Sequence, residues 1–261
     1  MKLVVKIGGA ALEQETVLGN CARVLKELVD SGHQIVLVHG GGTALTRTLQ
    51  KLGKHSEFVN GLRVTDVETR DVALMVFAGL MNKRIVAALA AVGQPAFGMC
   101  GGDGGSVRAR RKPVNGCDLG YVGEIDGMDS HWIEVLWARQ AIPVMSSIAL
   151  GWDGEYYNVN ADQMAAACAV ACRAQVLLFL TDVPGVKDAS GSVIPSLRTD
   201  EIELLTNSAV IAGGMLPKIR ACGDALKGGV EKVRILPATE TEILPQCLFS
   251  DFECGTEVLA V

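Results

Sequence analysis

Hydrophobic and polar residues alternate in two distinct patterns along the first part of the chain. Residues 2–7 form a short, mostly apolar run that ends at Gly8-Gly9, which predicts a buried strand followed by a turn. Residues 34–38 form a second such run, and it leads into a second glycine turn, His39-Gly40-Gly41-Gly42. Between the two runs, residues 15–30 carry apolar side chains at helical spacing: Val17, Cys21, Val24, Leu25 and Leu28. Strand, glycine turn and helix in repeated order predict βαβ units in a mostly parallel sheet.

The rest of the chain continues this alternation. The pattern predicts a long, mostly apolar helix at 68–92, hairpins within 101–127, a helix at 164–172 and another at 221–227. Further strands are predicted at 142–148, 176–180 and 233–236. Because no internal repeat or low-complexity linker interrupts the chain, we expect one domain, 1–261, whose two halves share a continuous sheet. The long helix is apolar on more than one side, and a subunit interface is one way to cover it.

Composition narrows the class of protein. The 261 residues are 49% hydrophobic and carry a net charge of -5, which excludes a disordered chain and argues against a general nucleic-acid binder. The basic run at 108–112 is therefore interpreted as a solvated hairpin. The most apolar stretch, 164–180, is interrupted by Arg173 and Gln175, and the amino terminus lacks a signal-peptide core, so we expect a cytoplasmic protein that does not enter a membrane. The eight cysteines lack any CxxC pair and are expected to be free thiols.

Three segments carry candidate chemistry. The two glycine turns can hold an anion with converging backbone N–H groups, and Lys6 precedes the first of them. Asn160 and Asp162 precede or open an Ala-rich helix, and a glycine pair precedes a predicted helix whose first turn carries Lys218. Each segment also has a structural interpretation: a tight turn, a helix cap, or a solvated lysine. Neither glycine turn matches GxGxxG or GxxxxGK[ST].

Six segments in order resemble a known family. Residues 5–9, 38–42, 60–65, 118–123, 158–162 and 213–218 are similar to the motifs of the N-acetylglutamate kinases, which belong to the amino-acid kinase family. The resemblance extends from residue 2 to about residue 230. It implies a three-layer αβα sandwich with an open, mostly parallel central sheet, the amino-acid kinase or carbamate kinase-like fold. It also implies an N-lobe, 1–174, for acceptor binding and dimerisation, and a C-lobe, 175–261, for nucleotide binding.

The resemblance implies an ATP-dependent reaction on a small-molecule substrate. The side-chain carboxylate of N-acetyl-L-glutamate would be phosphorylated to an acyl phosphate, the second step of arginine biosynthesis. A carboxylate is already ionised at pH 7 and needs no general base, so His39 is interpreted as structural. Catalysis would rest on positioning and electrostatic stabilisation. Mg²⁺ is expected to be held through phosphates and water, without a protein metal cluster.

The family's functional residues correspond to particular positions here. Lys6 and Lys218 would contact the transferring phosphoryl group from the acceptor and nucleotide sides, with Asp162 between them. The backbone N–H groups of four glycines would surround the phosphoryl group and part of the acceptor: Gly8, Gly9, Gly41 and Gly42. Arg63 would bind the acceptor's α-carboxylate and Asn158 its amide. The expected nucleotide-binding residues are Asp182, Val183, Pro184, Gly185, Val186, Lys187, Val210, Ile211 and Ala212.

Some features depart from the family or leave alternatives open. Residues 237–242 stand where the family usually has a strand ending in a short turn near the nucleotide. The first strand begins at about residue 2, without the helix that precedes it in arginine-inhibited members, so a plain homodimer is expected instead of a hexamer. A sister kinase acting on N-succinylglutamate or a carrier-bound 2-aminoadipate is one alternative. A non-catalytic binding module of the same fold is another.

Overall fold

The structure is a computed structural model that describes residues 1–59, 61–113, 118–201, 214–250 and 254–260. The strands described, in chain order, are β1 (Lys2–Ile7), β2 (Gln34–His39), β3 (Phe58–Val59), β4 (Leu62–Arg63), β5 (Ala96–Met99), β6 (Val107–Arg111), β7 (Val122–Met128), β8 (Ile142–Ser146), β9 (Ile148–Gly151), β10 (Tyr156–Val159), β11 (Val176–Thr181), β12 (Ser196–Arg198), β13 (Lys232–Pro237) and β14 (Thr256–Leu259).

The helices described are α1 (Glu15–Asp30), α2 (Gly42–Lys51), α3 (Val67–Leu74), α4 (Asn82–Ala91), α5 (His131–Trp137), α6 (Ala161–Ala171), α7 (Met215–Lys227) and α8 (Leu244–Phe249). A π-helical segment, Met75–Met81, joins α3 to α4 without a break. Short 3₁₀ turns occur at Gly9–Glu13, Asp103–Gly105 and Ala238–Ile243.

One large sheet organises the described residues. Its strand order is β12-β14-β13-β11-β1-β2-β8-β5, and neighbouring strands are parallel except for the antiparallel pair β13 and β14. The strands of the amino-terminal half occupy one side of the β1/β11 pair, and those of the carboxyl-terminal half occupy the other. The prediction of one continuous sheet is therefore confirmed.

The alternation of side chains between the two faces of β1 explains why a helical layer covers each face of the sheet. Leu3, Val5 and Ile7 are buried with the apolar face of α1, whereas Val4 points to the opposite face, among side chains of α6. A strand covered on both faces has a continuous apolar sequence, which is why residues 2–7 are readable as a buried strand. The result is the three-layer αβα sandwich with an open, mostly parallel sheet that the resemblance implies.

A second, smaller sheet was not predicted. Strands β6, β7, β9 and β10 form a closed barrel beside the main sheet, and the antiparallel pairing of β6 with β7 confirms the hairpin expected within 101–127. The single strand predicted at 142–148 is wrong: β8 ends at Ser146 in the large sheet, and β9 begins at Ile148 in the barrel. Ser147 lies at the change of direction. A continuous apolar run cannot show that the chain passes from one sheet to another.

The motif at 118–123 joins this barrel to the segment that carries Arg63. Thr65 pairs with Gly120, and the N–H of Tyr121 donates to the Thr65 carbonyl at 2.6 Å. Gly120 has a φ of +66°, and a Cβ there would collide with the Thr65 carbonyl oxygen. The glycine is required for this close approach of two backbones.

The helix Val67–Ala91 agrees in extent with the one predicted at 68–92. It is 25 residues long, and within the described chain it alone has the length and hydropathy of a membrane-crossing helix. Its partners include α1, α2, β5 and β8, so it forms part of the helical layer of the sandwich, and its first part, α3, also contacts β10 of the barrel. The π-helical segment was not predicted, and it exposes Met75 and Leu80 on its outer side.

The cysteines of the described chain, seven in number, are all free. Six of them are buried, and burial raises the pKa of the Cys21 thiol to about 12. These thiols pack as small apolar side chains, as their irregular spacing predicts.

Candidate active site

A cavity of about 230 Å³ lies at the carboxyl edge of the large sheet. Ligands of open α/β sheets bind at this edge because the strands lead there into glycine turns and helix amino termini. Its walls bring together the sequence-predicted residues of the acceptor side: Lys6, Gly8, Gly9, Gly41, Gly42, Arg63, Asn158 and Asp162. Phe58, Phe77 and Ser147 also line the cavity and were not predicted as site residues.

Two lysines meet one carboxylate beside this cavity. Oδ1 of Asp162 lies 2.9 Å from Lys6 Nζ and 3.0 Å from Lys218 Nζ. Lys6 alternates onto the same face of β1 as Val4, which directs it to the first turn of α6, where Asp162 lies. Lys218 reaches the same oxygen from the first turn of α7, and its ammonium lies 5.0 Å from the centre of the Phe179 ring.

The cluster is electrostatically unusual because all three side chains are buried. Burial alone would raise the pKa of Asp162, but the charges of Lys6 and Lys218 lower it below its usual value. Burial and the charge of Lys6 lower the pKa of Lys218, and the ion pair with Asp162 opposes that shift. Two cations and one anion leave an excess positive charge in a poorly solvated site, which favours an anionic ligand.

The first glycine turn lies against this cluster. A Cβ at Gly8 would collide with the ammonium of Lys6, so only glycine leaves room for the lysine in its present position. Gly9 has a φ of +63° and begins a 3₁₀ turn. The backbone N–H groups at such a turn have no partner within the turn itself and are available to an anion.

Helix amino termini point to the same place. Helix α2 begins at Gly42, directly after the second glycine turn, and this first residue lines the cavity. Helix α6 is capped by Asn160, whose Oδ1 accepts from the N–H groups of Asp162 at 2.8 Å and of Gln163 at 3.2 Å. The capping interpretation is therefore correct for Asn160 and wrong for Asp162, whose carboxylate binds the two lysines.

Arg63 is a buried cation held by neutral oxygens. Its Nη2 donates to Thr46 Oγ1 at 2.7 Å and to the Gly42 carbonyl at 3.2 Å, and its Nη1 donates to Ser56 Oγ. The guanidinium also stacks on the Phe58 ring at 4.6 Å. Among the ion pairs of the described residues, none includes Arg63. A fixed guanidinium that lines a cavity without a carboxylate of its own is suited to bind one.

Asn158 is linked to Arg63 through Thr65. Nδ2 of Asn158 donates to Thr65 Oγ1 at 3.3 Å, and that hydroxyl donates to the Arg63 carbonyl at 2.8 Å. Thr65 is fully buried. The link sets Asn158 and Arg63 on the same wall of the cavity.

The expected nucleotide-binding segment at 182–187 follows the carboxyl end of β11. The N–H of Val186 donates to Thr256 Oγ1 at 2.8 Å, which links the segment to the start of β14, and Lys187 pairs with Val193. The Asp182 carboxylate comes within 3.6 Å of the Cβ position of Gly9, which places the segment next to the first glycine turn. Val210, Ile211 and Ala212 lie outside the described residues.

Sequence reasoning missed several groups that shape the site. The hydroxyls of Thr46 and Ser56 hold Arg63, but neither belongs to a recognisable motif. Asn82 had a usable signal, since it is a polar residue within the long apolar helix, and it is fully buried beneath the second glycine turn. No group of three or more His, Cys, Asp or Glu side chains in the described part of the chain could hold a metal ion.

Comparisons with known proteins show the family of the chain. The chain matches the profile described as "Amino acid kinase family" over residues 1–237. It is 58% identical to the protein named acetylglutamate kinase in Acidobacterium capsulatum, over 100% of both chains. It is 54% identical to the one in Koribacter versatilis, over 100% of this chain and 99% of that one. Among solved structures, N-acetylglutamate synthase from Neisseria gonorrhoeae, complexed with coenzyme A and N-acetyl-glutamate, superposes with a TM-score of 0.87 at 29% identity, covering 98% of this chain and 59% of that chain.

Proposed function

The chain belongs to the amino acid kinase family, and from that premise we propose that it phosphorylates N-acetyl-L-glutamate with ATP in the second step of arginine biosynthesis. The products are N-acetyl-L-glutamyl 5-phosphate and ADP. The observation that carries the proposal is the buried cluster of Lys6, Asp162 and Lys218 beside a cavity that also holds Arg63. The full-length similarity to proteins named acetylglutamate kinase supports the identity of the acceptor.

The chemistry fits a site without a general base. An oxygen of the acceptor's side-chain carboxylate forms a bond to the γ-phosphorus of ATP, and the bond from that phosphorus to the β–γ bridging oxygen breaks. The electron pair leaves with ADP, and no proton has to move. The main obstacle is repulsion between an anionic acceptor and an anionic phosphate, so fixed positive charge and positioning carry the catalysis.

Each member of the cluster has a proposed role in this transfer. Lys6 contacts the γ-phosphoryl group from the acceptor side, and Lys218 stabilises the charge that develops on the leaving β-phosphate side. Asp162 holds both ammonium groups within hydrogen-bond reach of one oxygen, which sets their separation before substrates bind. The N–H groups of Gly8 and Gly9, and those of Gly41 and Gly42, surround the phosphoryl group.

Acceptor and nucleotide enter from opposite lobes in this proposal. Residues 1–174 bind N-acetyl-L-glutamate, with Arg63 on its α-carboxylate and Asn158 on its amide. Residues 175–261 bind ATP, through 182–187 and 210–212. Mg²⁺ bound to the nucleotide would neutralise phosphate charge and would be held through phosphates and water. The free, buried thiols support a reducing cytoplasmic location.

The direct test is ADP release with Mg-ATP and a panel of acceptors. The panel contains N-acetyl-L-glutamate, N-succinyl-L-glutamate, N-acetyl-L-2-aminoadipate and free L-glutamate. We expect kcat/KM to be highest for N-acetyl-L-glutamate. A higher value for one of the other acceptors would assign the protein to a sister kinase, and nucleotide binding without any turnover would indicate a binding module.

Arg63→Lys is expected to raise the KM for N-acetyl-L-glutamate by about 10- to 100-fold, with little change in the KM for ATP. Lysine keeps the charge but loses the planar fork that binds a carboxylate in two places. A lost hydrogen bond to a charged group is worth about 1.5–3 kcal/mol. Steady-state kinetics with each substrate varied in turn measures both constants, and an effect confined to ATP would contradict the assignment.

We further propose a homodimer formed through the outer side of the long helix and the sheet edge beside it. Met75 is 66% exposed, and Phe97 on the edge strand β5 is 55% exposed. Lys83 on α4 reaches the Gly98 carbonyl of β5 at 3.4 Å, so the long helix packs beside this edge strand. An edge strand and an apolar helix face are commonly covered by a second copy.

Met75→Glu combined with Phe97→Glu is expected to convert a two-chain particle into a one-chain particle. The charges would have to be buried unpaired in the interface, which is unfavourable. Light scattering coupled to size-exclusion chromatography measures the mass. Leu259→Glu is the matched control, since Leu259 is 39% exposed on β14, at the opposite side of the large sheet from β5. A mass unaffected by the double substitution would refute this interface.

A further inference from the structure

A buried hydrogen-bond chain runs beneath the second glycine turn. His39 ends β2 on the face opposite to Lys6, and its ring is fully buried. Its Nδ1 lies 2.8 Å from the Gly40 carbonyl oxygen, and its Nε2 lies 3.1 Å from Nδ2 of Asn82. Asn82 is the first residue of α4, and its Nδ2 also donates to the Val144 carbonyl at 2.8 Å.

These contacts define the tautomer of His39. The two hydrogens of the Asn82 amide nitrogen are taken by Val144 and by the ring, so Nε2 is an acceptor. A neutral imidazole that accepts at Nε2 carries its hydrogen on Nδ1, which then donates to Gly40. Burial lowers the pKa of His39 to about 4, against the opposing effect of the Gly40 hydrogen bond, and the charges of Lys6 and Lys83 add to the lowering. The ring is therefore neutral at physiological pH.

Fixing the Gly40 carbonyl also fixes the next N–H group. Because the peptide bond is planar and trans, the N–H of Gly41 points away from the Gly40 carbonyl. The carbonyl is directed to the buried ring, and the turn itself lines the cavity. From the helix side, a Cβ at Gly41 would lie 3.0 Å from the Phe77 ring and 3.1 Å from Met81, so the π-helical segment supports the same peptide.

We propose that His39 is a positioning residue for phosphoryl transfer: it anchors the Gly40 carbonyl so that the N–H of Gly41 is aimed into the cavity, and Asn82 fixes the tautomer that makes this possible. The proposal rests on the proposed kinase function. His39 touches neither substrate and exchanges no proton in the reaction. His39 acts through the orientation of the Gly41 N–H group, which stabilises the transition state only when it is aimed at the developing charge.

Two substitutions of His39 separate this role from simple packing. Asparagine can place an N–H near the position of Nδ1, whereas glutamine extends its amide toward the position of Nε2. We expect His39→Gln to lower kcat by about tenfold or more, with both KM values within about threefold of the unmodified protein. We expect His39→Asn to keep kcat within about threefold. Gln94→Leu is the matched control, since Gln94 is a buried amide that donates to the Pro95 and Gln140 carbonyls.

Asn82→Ala provides a second, independent readout. Alanine is smaller than asparagine and removes the hydrogen bonds of Asn82 to His39 and to the Val144 carbonyl. It should lower kcat when His39 is present, and have much less effect in the His39→Asn background, where no tautomer has to be selected. Purely additive effects in this double-mutant cycle would overturn the role assigned to Asn82.

The outcomes distinguish this proposal from the proposed function. Turnover by the unmodified protein together with unchanged kcat in His39→Gln would overturn the positioning role alone. The positioning role would also be overturned if His39→Gln and His39→Asn lost kcat equally and only as far as their melting temperatures fell. Gln94→Leu measures how much kcat is lost through a packing defect of this kind. Absence of turnover by the unmodified protein would overturn the kinase function, and this proposal with it.

Discussion

Lys218→Ala is expected to lower kcat by about 10²- to 10³-fold, with less than a threefold change in the KM for N-acetyl-L-glutamate. Loss of one preorganised donor aimed at developing transition-state charge typically has an effect of this size. Lys218 is buried beside Asp162 and the Phe179 ring, so its charge acts in a poorly solvated site, where electrostatic interactions are strong. The KM should change little because the proposed interaction forms mainly during transfer.

Lys227→Ala is the matched control for this prediction. Lys227 lies on the same helix, α7, with its side chain exposed, so its removal changes the net charge of the protein equally and leaves the cluster intact. Steady-state ADP release at saturating Mg-ATP measures kcat for both variants. A Lys218→Ala enzyme within tenfold of the unmodified kcat would have lost less than about 1.4 kcal/mol of transition-state stabilisation, too little for the role proposed here.

Much of the large sheet is predictable because its strands are covered on both faces. The apolar runs at 2–7 and 34–38 correspond to β1 (Lys2–Ile7) and β2 (Gln34–His39), and the helical spacing at 15–30 corresponds to α1. The same property misleads at 142–148. An apolar run indicates that its residues are buried, but it does not indicate which element each residue packs against. The change from β8 to β9 at Ser147 could therefore not be predicted.

The residues of the candidate site can be proposed from the sequence, but their geometry cannot. Family resemblance singles out Lys6, Asp162 and Lys218, but the sharing of one carboxylate oxygen by two ammonium groups depends on three elements distant in sequence. The barrel of β6, β7, β9 and β10 could not be predicted for the same reason, because it requires pairings between strands that are separated in sequence.

The partners of Arg63 show why some contacts carry no sequence signal. Thr46 and Ser56 hold the guanidinium through hydroxyl groups, and any loop residue with a hydroxyl at the right position would serve as well. Local pattern cannot identify such residues, since the fold alone brings them to the arginine.

Asp162→Asn is expected to lower kcat by more than about 10²-fold and also to destabilise the fold. Asparagine keeps the shape of the side chain but removes the negative charge that Asp162 places between the buried ammonium groups of Lys6 and Lys218. Removing one partner of a buried ion pair typically costs about 3–5 kcal/mol, because the remaining charge is left uncompensated. Urea unfolding at pH 7 measures the loss, with Asp224→Asn, an exposed carboxylate on α7, as the control.

The stability difference between the unmodified protein and Asp162→Asn should depend on pH in a defined direction. The two lysines lower the pKa of Asp162 in the folded state, although burial alone would raise it, whereas the unfolded carboxyl titrates at about 4. The stabilisation is then complete above about pH 4 and is lost as the pH falls through the lowered folded pKa. Urea unfolding should give a constant difference from pH 8 to pH 5 and a smaller one below pH 4. A difference that stays constant down to pH 3 would show that the ionised carboxylate is not what holds Lys6 and Lys218 together.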